Sequence, residues 1–186
     1  MKKCVVLLSL GVCLAVSSSA QSSASKLQHP GGTNQQIALN VSLPFGRFAE
    51  SHAAGVGLSY NWSHHRFGDN INARKLIGFT AQAGFDYFFG KNDTLLGHTF
   101  KNRNAMYVQV MPGIIYNPGA KTAIMLLAGP SLGIYNDASS ISFSAGLNCT
   151  YHISPTISAG PSLVLRKHEY VDIYWTAGIG ARILIR

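Results

Sequence analysis

The chain has 186 residues, 47% of them hydrophobic and only 12% charged. A soluble domain carries roughly 25% charged residues, so much of this surface is expected to face something other than water, or to be covered by assembly. The formal net charge of +8 comes from basic residues scattered among turns with no interleaved aromatic patch, which excludes a nucleic-acid site and suits contact with anionic lipid head groups.

The chain opens with a short basic region, Met1-Lys2-Lys3, an apolar run from Cys4 to Val16, and small residues at Ser18-Ser19-Ala20. This is the pattern of a cleaved secretory signal over residues 1–20. A lipoprotein signal using Cys13 is the rival; Val12 is a poor residue before a lipidated cysteine, and the apolar run continues past it. Cleavage removes Cys4 and Cys13, so Cys149 alone remains and no intrachain disulfide can form. It also removes two lysines and no acid. No Cys/His pairs stand at metal-ligand spacing, and no cofactor is expected. Residues 21–35 are rich in Ser, Gly and Asn and read as a flexible lead-in; residues 36–186 form the domain.

From there on, no helical period is convincing and no run of 18 apolar residues occurs. Two-residue alternation appears eight times instead, over 36–43, 54–63, 75–89, 105–116, 123–135, 141–152, 157–166 and 170–184. Most of these match the 9–11 residues of a tilted membrane-crossing strand or exceed them. Turn chemistry separates them: "NPGAK" at Asn117–Lys121, "NDASS" at Asn136–Ser140, "SPT" at Ser154–Thr156 and "KHE" at Lys167–Glu169. Only Ser63–Arg74 and Gly90–Asn104 are longer connections.

Each strand divides into two faces. In the second, Val56, Leu58, Tyr60 and Trp62 oppose Gly55, Gly57, Ser59 and Asn61. The third, sixth and eighth divide as cleanly, with Cys149 on the apolar side of the sixth; the fourth and fifth carry apolar residues on both faces. A lipocalin-like barrel buries its apolar face, whereas a transmembrane barrel turns it outward to lipid. Here the polar face is small and nearly uncharged, as a narrow eight-stranded interior requires, and the apolar face holds the bulk. The expected fold is all-β, an eight-stranded antiparallel transmembrane up-and-down barrel. Closure pairs every backbone group without water. With the N-terminus periplasmic, Tyr60, Trp62, Tyr116 and Tyr151 fall near the periplasmic rim and Phe85, Tyr87, Phe89 and Phe143 near the outer rim, as two interfacial aromatic girdles.

The first hairpin, "SLPFGRFAESHAAGVGLSYNWS" (Ser42–Ser63), holds a strand, a Pro-x-Gly-x-Phe loop, a His and a Gly-x-Gly strand. With "AGFDYFFGK" (Ala83–Lys91), it resembles the small outer-membrane β-barrel family, porin-like barrels of OmpA and OmpX size. The likeness covers nearly all of the chain after the signal. It implies a monomer in the outer membrane of a Gram-negative-type cell, in contact with outer-membrane lipid and lipopolysaccharide and inserted by the barrel assembly machinery. Many members end in an aromatic residue that this machinery reads; this chain ends Ile183-Leu184-Ile185-Arg186.

Few groups carry chemistry. Asp86, Arg166 and Asp172 are expected in the outer half of the lumen as an ion-paired group, because unpaired charges there are costly. Arg182, nearer the periplasm, has no evident acidic partner. A lipid-A hydrolase or acyltransferase would need a His/Ser constellation at the outer rim. The candidates are His168 and Glu169 in the last loop, His98 in the long loop, and Glu50 and His52 in the first loop. Each reads as an ordinary solvated loop residue; His64-His65 falls in a periplasmic turn, and His152 faces the periplasmic lumen. The long loop is expected to be a mobile surface loop; the alternative is that Lys91, Lys101 and Arg103 meet lipopolysaccharide phosphates, with Leu95-Leu96 resting on the rim. The expected role is structural or interaction-based and non-enzymatic; a narrow gated channel and a lipid-A-modifying enzyme are the alternatives.

One repeat remains. "AGPSL" stands at Ala128–Leu132 and again at Ala159–Leu163, with strand-breaking residues at mid-strand. Gly129 and Gly160, with Gly84, Gly113, Gly146 and Gly178, form a ring of absent side chains suited to a narrow lumen. Pro130 and Pro161 each remove a ladder donor, and a bulge or a lumen water is expected beside them.

Overall fold

The computed structural model describes residues 33–64, 77–95, 98–119, 121–135, 138–168 and 173–185. Eight strands close into one barrel: β1 (Thr33–Phe45), β2 (His52–His64), β3 (Ile77–Gly90), β6 (Ala105–Gly119), β7 (Thr122–Tyr135), β8 (Ala138–His152), β9 (Ile157–His168) and β10 (Tyr174–Ile185). Each pairs antiparallel with its neighbours in that order, and β1 pairs with β10 from Gln35↔Ile185 to Phe45↔Trp175. This is the eight-stranded antiparallel transmembrane barrel that the alternation predicts. β1 begins at Thr33, three residues ahead of the expected domain start. The signal and most of the lead-in lie outside the described residues.

The apolar face points outward. Leu39 is 64% exposed, Leu58 51% and Ile141 73%. The opposite parity is buried and carries Ser59, Asn61, Thr80, Gln82, Ser144 and Asn148. A wall that shows bulky aliphatics outside and small polar groups inside is stable only in an apolar solvent. The girdle aromatics Tyr60, Trp62, Phe85, Tyr87, Phe89, Tyr116, Phe143 and Tyr151 all stand on this outer face, none of them buried. Phe79 and Trp175 join them, at 57% and 43% exposure. Cys149, expected on the lipid face, is instead buried at 6%.

Two connections differ from expectation. The long loop folds back as a hairpin of β4 (Asn92–Leu95) and β5 (His98–Lys101). It is tied to the barrel by the Lys91 amide donating to the Ser51 carbonyl at 2.8 Å. The first loop holds a one-turn helix, α1 (Phe48–Ser51), entered through Gly46 at φ +68. That left-handed backbone suits glycine, which accounts for the Gly in the Pro-x-Gly-x-Phe motif. His168 continues β9 and His64 ends β2, so neither lies in a loop or turn.

The prolines interrupt the ladder without shifting it. Pairs between β6 and β7 run to Gln109↔Ser131 and resume in the same register at Gly113↔Leu127. Pro130 thus stands opposite Val110, and Pro112 opposite Ala128. Between β8 and β9 the gap lies between Asn148↔Ser162 and Tyr151↔Ala159, with Pro161 opposite Cys149. Of the bulge or lumen water expected there, the bulge is absent from both sites, since the register is unchanged across each gap. In both "AGPSL" copies the glycine resolves the contact: a Cβ on Gly129 would strike the Val110 carbonyl oxygen, and one on Gly160 the Cys149 carbonyl oxygen. A carbonyl facing a proline receives no N–H from it, and in each copy that carbonyl oxygen occupies the space a side chain on the adjacent glycine would need.

Candidate functional site

The end of the lumen beneath α1 and the β4–β5 hairpin is closed by a packed group. At its base the Arg166 guanidinium, 1% exposed, is ion-paired with Asp86 through Nη2 and Oδ2. Arg166 also donates to Gln109 Oε1 at 3.1 Å and to Thr176 Oγ1 at 3.3 Å, and Gln109 Nε2 donates to Asp86 Oδ2 at 3.1 Å. The four strands β3, β6, β9 and β10 are thereby joined across the barrel. Asp172, expected in the same group, lies outside the described residues.

Aromatic rings cover this pair. The Arg166 guanidinium lies 4.6 Å from the Tyr107 ring centre and 5.7 Å from that of Phe88, within cation–π range. The hydroxyls of Tyr107, Tyr135 and Tyr174 form a triangle, with Tyr107 bonded to Tyr135, Tyr107 to Tyr174 at 3.1 Å and Tyr135 to Tyr174 at 2.8 Å. Phe48, delivered by the Gly46 turn, stacks on Tyr174 at 4.8 Å and meets the edge of Phe88 at 5.1 Å. Inward-facing apolar residues of β6 and β7 missed as core, Met111, Ile115, Met125 and Leu127, fill the other end. Their parity was readable; that a polar lumen would hold an apolar cluster was not.

Two histidines belong to this closure. His168 is 2% exposed; its ring centre lies 5.0 Å from that of Tyr174 and its Nδ1 3.4 Å from Ser140 Oγ. His52, 6% exposed, packs 4.2 Å from the Phe48 ring centre, and its Nδ1 lies 2.8 Å from Ser51 Oγ. Strict alternation back from Gly55 would turn His52 outward. The register of β2 on β3 shifts between His52 and Gly55, and this irregularity sends the ring into the mouth. Neither residue is the solvated loop histidine expected. Glu169 and His65 lie outside the described residues. Glu50 is exposed on α1, His98 is exposed on β5, and His152 is half-buried at the far end.

The outside of the same end is basic. Arg47, Lys101, Arg103 and Lys167 are exposed there, against Glu50 and Asp93 among the described acids. The Lys91 ammonium is engaged within the fold, donating to the Ala49 carbonyl at 2.5 Å. The Leu95-Leu96 contact lies outside the described side chains.

The six inward glycines step by two to four residues between neighbouring strands. Lumen width is not what excludes a side chain at most of them. A Cβ on Gly113, Gly129, Gly160 or Gly178 would meet a carbonyl oxygen of the neighbouring strand; Gly84 would crowd the Ser59 Cβ at 3.2 Å; Gly146 has room, with Met111 Cε at 3.7 Å. The glycines therefore serve strand-to-strand approach within the wall.

No family profile and no curated protein matches the sequence. Solved structures match over most of the chain. Ail, the attachment invasion locus protein of Yersinia pestis, in complex with the heparin analogue sucrose octasulfate, is 13% identical with a TM-score of 0.56, over 84% of this chain and all of that one. The outer membrane enzyme PagL is 12% identical with a TM-score of 0.56, over 81% of this chain and 99% of that one. Ail in a phospholipid bilayer nanodisc is 14% identical with a TM-score of 0.50, over 82% of this chain and all of that one. Neighbours that include an attachment protein and an enzyme share an architecture and no single activity; by its closed wall, outward apolar face and filled polar lumen, the chain has the fold of the small eight-stranded outer-membrane β-barrels.

Proposed function

We propose that the protein resides in the outer membrane of a Gram-negative-type cell, exported by a cleaved signal, and works by surface contact. Its loop end binds anionic sugar-bearing polymers, either the phosphates of lipopolysaccharide or sulfated glycans. The observation that carries this reading is a lumen closed by the Arg166–Asp86 pair and its tyrosine cover, with exposed basic side chains outside that closure. Arg47, Lys101, Arg103 and Lys167 offer charge-assisted bonds to phosphate or sulfate. Ail's complex with a sulfated heparin analogue supports the same ligand chemistry. Lipid contact is served by the two aromatic girdles, and a monomer inserted by the barrel assembly machinery meets these needs.

A filled lumen argues against free diffusion of solutes. An enzyme acting on lipid needs its nucleophile at the lipid-facing rim, but the His168 ring is turned into the lumen beneath tyrosines, so its approach to Ser140 serves packing.

The test uses the purified barrel in detergent, on immobilised heparin and with lipopolysaccharide-containing or phosphatidylcholine vesicles. Retention on heparin, or on the lipopolysaccharide vesicles, is expected to exceed that on phosphatidylcholine and to fall with salt. The Lys101→Ala/Arg103→Ala/Lys167→Ala variant should lose most of it. Equal retention by this variant, or none at low salt, rejects the reading; the two anionic surfaces distinguish the polymer.

A further inference from the structure

The lumen holds a second arginine that the closure does not use. Arg182 on β10 is 2% exposed. Its register partners are Ala38 on β1 and Ser158 on β9, neither of them charged. Its Nε and Nη1 have no hydrogen-bond partner among the described residues. Of the chain's seven acidic residues, Asp86 is the one on an inward position of a described barrel strand, and it is paired with Arg166. Glu50 and Asp93 belong to the loop end, and the remaining four lie outside the described residues. The electrostatic neighbour of Arg182 is the buried Cys149; counting arginines against carboxylates, the described lumen carries one more positive charge than negative.

Arg182 lines a cavity of about 20 Å³ with Asn40, Ser42, Asn148, Ser162 and Thr176, and the Asp86–Gln109 group borders the same space. One water needs roughly 10–15 Å³ of such space, so the cavity suits a single small species. Its lining offers donors, a guanidinium, amide groups and hydroxyls, beside one carboxylate, Asp86, which Arg166 and Gln109 already engage. A water would satisfy some of these donors but leave the buried cation unneutralised, which is strongly destabilising. A phosphate or carboxylate-bearing metabolite exceeds the space. We propose that Arg182 and the polar groups around it hold one small inorganic anion of halide size inside the barrel. This ion is a structural counter-charge to the lumen arginine, and it is independent of whatever the loop end contacts.

The test uses bromide as probe on the full barrel in detergent. Crystals soaked in sodium bromide should show a bromine anomalous peak in contact with the Arg182 guanidinium. In solution, thermal unfolding is compared in sodium chloride and in sodium gluconate at equal ionic strength, gluconate being too large for the cavity. The wild-type midpoint should lie roughly 2–4 °C higher in chloride, the size of shift that one ion at a few times its dissociation constant produces in a chain of this length. Arg182→Met should abolish both the peak and the difference. A wild-type map with only water at Arg182, or equal wild-type midpoints in the two salts, overturns the proposal whether or not the variant folds.

Discussion

Arg166 and Asp86 show how one buried pair organises the mouth of the barrel. The guanidinium is 1% exposed and its carboxylate partner 11%. Removing one member of such a pair leaves an uncompensated charge, which typically costs about 3–5 kcal/mol, whereas replacing both by well-packed neutral groups is close to neutral. Asp86→Asn is therefore expected to lower stability by about 3 kcal/mol or more, and Asp86→Asn with Arg166→Met to recover most of that loss. Urea unfolding from lipid vesicles measures both. If the double variant is as unstable as the single one, packing under Tyr107 and Phe88 outweighs the charge. The sequence put Asp86 and Arg166 on inward parities of separate strands. It did not show that Gln109 would bridge them or that Tyr107 would cover the guanidinium, because those contacts join residues 57 and 59 positions apart from Arg166 across the lumen.

At the scale of the strand, the two "AGPSL" copies are one solution used twice. The proline withholds a donor, and the glycine before it lets the facing carbonyl come close. The two residues should therefore respond in opposite ways. Gly160→Ala places a methyl where the Cys149 carbonyl oxygen lies, a clash of backbone against side chain. Overpacking of this kind costs about 1–3 kcal/mol, and the barrel should unfold at lower urea. Pro161→Ala restores an N–H opposite Cys149 and should leave stability equal or slightly higher. Parallel unfolding curves for the two variants decide it: if Gly160→Ala is silent, the close approach has no energetic weight. The motif itself was plain in the sequence. Its cause was not, because a ladder gap with unchanged register depends on which carbonyl stands opposite each proline. The same holds for His52, whose inward turn follows from a register irregularity in β2 that alternation cannot foretell.

For the molecule as a whole, the decisive property is the reversal of inside and outside. Leu58 stands near the middle of β2 at 51% exposure, next to Ser59 at 5%. If the outer face meets hydrocarbon, Leu58→Arg should destabilise the barrel by about 2–4 kcal/mol, the cost of a cation at the bilayer midplane. A soluble barrel would tolerate it. Unfolding in lipid vesicles gives the answer, and an unchanged midpoint would contradict the membrane reading. The closure of the mouth belongs to the same scale. Phe48 comes from α1, Phe88 from β3, Tyr107 from β6 and Tyr174 from β10, and only a closed barrel brings these four together.

The sequence alone determined the architecture. Period-two alternation, segment length and a shortage of charge are local properties, and lipid as solvent leaves few ways to satisfy them. They sufficed for eight strands, their order, their faces and the placement of small residues inside. The tertiary structure decided what the lumen does with those residues. It paired Arg166 with Asp86, left Arg182 facing a cavity without an acidic partner among the described residues, gathered three tyrosine hydroxyls, and turned His52 and His168 into the mouth. Alternation assigns a residue to a face, whereas contact across a lumen depends on the register of every strand between, the stagger of the closed sheet and the reach of each side chain.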